Sequence, residues 1–115
     1  MRIKSWTDAD LAPEPAYNTT AVRFFPWKDV EEPAWGGAWV AVAPGERTTP
    51  HAHHEKEVYF IVEGAGVMRM GEEKQDVTFG DTIYVTPDLD HDLYNPGPGR
   101  LLFLTVWWDG DEEES

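Results

Sequence analysis

The chain contains no cysteine. That absence excludes disulfides, thiolate zinc sites, iron–sulfur clusters and cysteine nucleophiles together. Basic residues are also scarce: nine Lys and Arg face 22 Asp and Glu, for a net charge of −13. Five of the acids (Asp109, Asp111, Glu112, Glu113, Glu114) fall in the last seven residues, and without them nine basic residues still face seventeen acidic ones, net −8. Nucleic-acid binding and anionic-membrane binding both need a basic footprint that is missing here. The same field steers against anionic small molecules unless a bound cation reverses it locally. No run approaches the ~18 apolar residues of a membrane-spanning helix, and Met1-Arg2-Ile3-Lys4-Ser5-Trp6 is not followed by the apolar stretch of a secretory leader. A soluble, cytoplasmic protein is expected.

What the chain does have is enough apolar material for one core. At 115 residues it has the length of a single domain. Its 41% hydrophobic content, with six Trp, five Phe and four Tyr, excludes disorder of the whole chain. Residues 1–20 carry Pro13, Pro15 and several Asp, Thr and Asn, and read as an N-terminal arm. From Ala38 onward, short β-branched and aromatic runs alternate with turn residues: 39–43, 57–62, 67–70, 75–79, 82–85, 91–94 and 101–108. Pro44-Gly45, Glu63-Gly64-Ala65-Gly66, Gly80-Asp81 and Asn95-Pro96-Gly97-Pro98-Gly99 punctuate them. The expectation is an all-β barrel domain over residues 21–108, closed so that its short strands leave few open edges. The acidic tail 109–115 is expected to be disordered.

Only four histidines are present, and three of them (His51, His53, His54) lie within four residues, beside Glu55 and Glu57. In extended chain His51 and His53 project to one face, as do Glu55 and Glu57, whereas His54 points the other way. Two imidazoles and a carboxylate make half of a metal site, and His91 is the one histidine left to extend it. Imidazole and carboxylate together suit Fe(II), Mn, Ni, Zn or Cu rather than Mg or Ca. The plainer alternative is a group of surface histidines in the polar loop Thr48–Glu57.

The longer pattern decides between these. Gly45, His51, His53, Glu57 and Gly64 fit, without a gap, the first motif of the cupin superfamily, G-x5-H-x-H-x3-E-x6-G, which the chain therefore resembles. Gly80, His91 and Asn95 fit the second motif, G-x5-P-x-G-x2-H-x3-N, with two departures: the proline comes one place late, at Pro87, and Asp88 replaces the second glycine. Asp is among the few residues that tolerate a positive φ, so the turn before His91 is expected to survive. The resemblance covers residues 45–95. It implies a double-stranded β-helix or jelly-roll barrel holding one divalent transition metal, Fe(II) favoured, with His51, His53, Glu57 and His91 as ligands.

Such a ligand set leaves a divalent ion at net +1 with open positions. It suits dioxygenase-type chemistry on a small organic substrate, redox-neutral isomerase, epimerase, cyclase or lyase chemistry, or a non-catalytic metal- and small-molecule-binding module. Tyr59, two residues past Glu57 on the same strand, is the candidate catalytic group. Arg23, Arg47 and Arg69 are possible substrate anchors. Most of the tryptophans are expected to serve a homodimer interface; if Trp39 or one of Trp107 and Trp108 lines the cavity, an aromatic or otherwise apolar substrate is favoured.

Overall fold

The computed structural model describes residues 1–109. The expected disorder of the acidic tail therefore falls, beyond Asp109, outside the described residues. After a short 3-10 turn, Asp8–Asp10, nine strands follow: β1 (Ala12–Glu14), β2 (Thr19–Arg23), β3 (Trp35–Val42), β4 (Lys56–Glu63), β5 (Ala65–Met70), β6 (Glu73–Thr78), β7 (Thr82–Val85), β8 (His91–Tyr94) and β9 (Leu101–Trp108). They form a six-stranded sheet in the order β1-β2-β3-β9-β4-β7 and a three-stranded sheet in the order β6-β5-β8, and every named pairing is antiparallel. The all-β architecture expected from the punctuation is found, as is the jelly-roll form that the resemblance implies. No helix among the described residues is long and apolar enough to cross a membrane.

Strand parity fills the space between the sheets. On β4, Glu57, Tyr59 and Ile61 are buried while Phe60 between them is exposed, the alternation of a strand with one covered face. β9 sends Leu101, Phe103 and Thr105 inward against them, with Tyr59 opposite Thr105 and Ile61 opposite Phe103. Val42, Val85 and Leu93, all without exposed surface, complete the core.

The expected division between an arm at 1–20 and a barrel from 21 falls inside β2. Residues 12–14 and 19–23 form a hairpin that joins the large sheet, Ala12 opposite Ala21 and Arg23 opposite Ala38. Pro13 is tolerated because β1 is the edge strand. Turn chemistry lowered the strand signal of this segment, and long-range pairing with β3 overrode it.

Two features bring the separated motifs together. The loop 45–51 runs antiparallel to β8 and the residue after it: Gly45 donates to the Asn95 carbonyl (2.8 Å), Thr48 to that of Leu93 (2.9 Å), and His51 and His91 exchange both backbone hydrogen bonds (3.1 and 2.9 Å). The departure in the second motif is absorbed as expected: Asp88 takes φ 66°, behind Pro87, in a turn closed by Leu89 N–H to Thr86 O at 3.4 Å. The Asp88 N–H also donates to the His53 carbonyl (2.7 Å), tying the two motifs directly. The last motif residue is architectural. Asn95, buried, donates from its amide to the Val42 and Gly99 carbonyls, both at 2.9 Å, and accepts from Gly97 N–H at 2.8 Å.

Candidate metal centre

One ring nitrogen each from His51, His53 and His91 lies within 4.8 Å of the other two. Their orientation is set by backbone carbonyls: Nδ1 of His51 stands 2.8 Å from Thr49 O, Nδ1 of His53 3.0 Å from Glu55 O, and Nδ1 of His91 3.0 Å from Leu89 O. A carbonyl only accepts, so each Nδ1 carries the proton. In a neutral ring Nε2 then holds the lone pair, the form in which imidazole ligates a metal. His91 has no exposed surface, and its Nε2 is a buried polar atom without a hydrogen-bond partner. Leaving such an atom open costs about 1–3 kcal/mol. Burial lowers the His91 pKa below the ordinary imidazole value, outweighing the Leu89 carbonyl contact that raises it. This nitrogen is thus kept neutral and presented to its two neighbours, and the donor set fits a divalent transition ion.

Glu57 stands at the edge of this group. Its Oε1 is 2.8 Å from His53 Nε2, and its Oε2 accepts a hydrogen bond from the Thr105 hydroxyl. With Nδ1 of His53 turned to the Glu55 carbonyl, its Nε2 and the Glu57 oxygen face each other as two metal-ligating atoms. Glu55 reaches the group less closely, 3.6 Å from His53 Nδ1, with half its side chain in solvent. His54 points away, as its parity required, and faces Asp88 at 3.2 Å on the surface.

A cavity of about 440 Å³ opens over the group, with Tyr59, Thr105, Phe103 and Trp107 among its walls. Tyr59 is buried against Phe103, its ring centroid 4.5 Å from that ring and 6.5 Å from His91. Burial, with Glu57 and Asp92 adding to it, holds the Tyr59 pKa well above that of free tyrosine, so its hydroxyl stays protonated. Of the tryptophans in question, Trp107 lines the cavity, whereas Trp39 packs against Trp6 at 5.5 Å. Among the three candidate arginines Arg23 alone lines this space; Arg47 and Arg69 are engaged with Asp92 elsewhere on β8.

Three contributors were not singled out from the sequence. Thr105 is the one polar residue in the apolar run Leu101–Trp108, and that was its available signal. Tyr17, whose ring lies 5.2 Å from His51, and Glu14, a cavity wall, come from the hairpin that read as an arm, and nothing local marked them.

Comparison with known proteins agrees with this geometry. Residues 38–107 match the cupin domain family. A solved cupin 2 conserved barrel domain protein from Salinispora arenicola superposes with a TM-score of 0.85 at 30% identity, covering 96% of this chain and 90% of that one. An uncharacterised protein of Methanocaldococcus jannaschii is 42% identical over 66 residues, 56% of this chain and 53% of the relative. A gentisate 1,2-dioxygenase of Haloferax is 32% identical over 60 residues, 52% of this chain but 17% of the enzyme. The matched part is thus about half the length of the first relative and about a sixth of the second. With both motifs, the barrel and the histidine group in register, this chain belongs to the cupin family.

Proposed function

We propose that the protein is a metal-dependent enzyme acting on a small organic molecule, with dioxygenase-type Fe(II) chemistry as the leading reaction. The observation that carries this reading is the convergence of three imidazole nitrogens, one of them buried and unpartnered, beneath a cavity of about 440 Å³. His51, His53 and His91 would hold the ion, with Glu57 as the fourth ligand. When bound, such an ion supplies Lewis acidity and, as Fe(II), a redox centre for O2 chemistry. The partial likeness to gentisate 1,2-dioxygenase inclines the reading toward oxygenation.

The chain's own groups have definite tasks in this scheme. The three carbonyl contacts fix the ring orientations before an ion arrives. Thr105 restrains the Glu57 carboxylate. Tyr59, held protonated, donates a hydrogen bond to a substrate oxygen and does not serve as a resting base. The apolar walls exclude water from the reacting groups.

The test is metal analysis of the purified protein followed by O2 uptake with the Fe(II)-loaded form across small phenolic and keto acids. Near-stoichiometric metal and substrate-dependent O2 consumption support the reading. Conversion of substrate without O2 consumption would move it to isomerase or lyase chemistry, and tight ligand binding without turnover to a binding module. A protein that takes up no divalent metal would overturn all three.

A further inference from the structure

We propose that Arg23 is a specificity-determining residue of this cavity, an anchor that selects an organic acid by its carboxylate while a second oxygen of the same molecule faces the histidine group. The inference rests on the functional reading above and names its substrate class.

Arg23 is the single Lys or Arg among the described residues lining the cavity; the other charged walls are Glu14, Glu55 and Glu57. Its position is built rather than incidental. Arg23 sits in β2 opposite Ala38, which lies opposite Thr105 on β9, so Arg23 and Thr105 share an inward row. At ~4.8 Å per strand the two backbones are about 10 Å apart, a gap bridged by a single-ring acid once the arginine side chain reaches across it. Between them the wall is Ala21, Ala38, Val40 and Phe103, small and apolar.

The guanidinium is held from two sides. Its carbon lies 5.5 Å from the centroid of the Trp107 ring. That indole lies across Gly36, where any Cβ would stand 2.6 Å from it, so the glycine makes room for the platform. On its edge, Nε and Nη2 donate to the two Glu14 oxygens at 3.2 and 2.9 Å. Glu14 thus occupies one edge of the fork and leaves the Nη1 side for a second carboxylate.

The negatively charged walls do not favour an amine instead. Glu14 is committed to Arg23, and Glu57 to His53 and Thr105; Arg23 and Glu55 both stand half exposed at the rim, and of the two only Arg23 is backed by an aromatic ring. In a chain of net −13 a local cation is also what an anionic substrate needs to enter.

The test is calorimetric titration, on protein of measured metal content loaded with redox-inert Zn(II), of three probes of one shape: 3,4-dihydroxybenzoate, its amide, and 3,4-dihydroxybenzylamine. The acid should bind roughly tenfold tighter than the amide, as a charge-assisted pair predicts, and the amine weakest. Arg23→Gln should bring the acid-to-amide ratio close to one, with Arg23→Lys restoring part of it. Glu14→Gln should raise the ratio, because the whole fork becomes available; a purely structural bridge predicts no such gain, and this variant decides the matter even if Arg23→Gln does not fold. Equal binding of acid and amide, preference for the amine, or a ratio that does not rise in Glu14→Gln would overturn the proposal. Repeating the titrations without metal separates the two readings. Failure to take up Zn(II) sinks the metal centre, while a surviving acid preference still reports Arg23.

Discussion

Strand β8 carries two polar clusters back to back, and they differ in one respect. Toward the cavity, His91 meets His51 and His53 and leaves its Nε2 without a partner. On the other face Asp92, 2% exposed, accepts from Arg69 Nε at 2.6 Å and Arg47 Nη1 at 3.4 Å. Arg69 also donates to Asp90 at 2.7 Å and to the Gly71 carbonyl at 2.8 Å, and Arg47 lies 4.8 Å from the centroid of the Tyr94 ring. Adjacent residues of a strand face opposite ways, so one backbone segment positions both groups. The outer cluster is satisfied within the protein and so explains itself as structure. The inner one is convergent and, at His91 Nε2, buried without a partner, which costs the fold energy that a bound ligand would return.

Substitutions should break that comparison in opposite directions. The largest effect is expected from His91→Leu: metal affinity should fall at least ~100-fold, more than loss of an orienting partner usually costs, while the metal-free protein becomes no less stable in urea, because an unpartnered nitrogen is replaced by an apolar group. Equilibrium dialysis and urea titration read the two halves. Asp92→Ala should do the reverse, destabilising the fold by about 2–3 kcal/mol, since Arg69 is mostly buried while Arg47 is half exposed and screened. Metal binding by its folded fraction should change little.

Smaller effects sharpen the inner cluster. Thr105→Val should weaken metal binding about tenfold by releasing the Glu57 carboxylate, with Thr105→Ser recovering most of it. In the metal-free protein, the lowered His91 pKa means that the unfolded chain takes up a proton before the folded one. The stability this represents is present above the ordinary imidazole pKa of ~6.5 and is lost as pH falls below it, by at most ~1.4 kcal/mol per pH unit. Urea midpoints across pH 7.5 to 5 should show this slope in the wild type and lose it in His91→Leu. His54→Ala, on the surface beside Asp88, should leave metal affinity within about twofold.

How much of this was legible beforehand depended on whether the signal was local. The spacing of His51 and His53 and the tolerance of Asp88 for positive φ are properties of short segments, and the structure repeats them. Strands 82–85, 91–94 and 101–108 were marked by apolar runs between turn residues and have those same bounds. The hairpin of β1 and β2 was not legible, because Pro13, Pro15 and the Thr and Asn residues speak for turns and only pairing with β3 makes strands of them. With that hairpin went Glu14, Tyr17 and the place of Arg23 in the cavity. Likewise, strand parity alone would have let Glu55 replace Glu57; burial beside Thr105 distinguishes them, and burial is a property of the whole barrel.

The most direct test is an anomalous difference map from crystals grown with Mn(II) or Zn(II), recorded at the metal's absorption edge. One peak within about 2.0–2.3 Å of a ring nitrogen from each of His51, His53 and His91 is the predicted result. A map without a peak there, or with the ion held by surface carboxylates while the His91 nitrogen stays unpartnered, would contradict the metal centre.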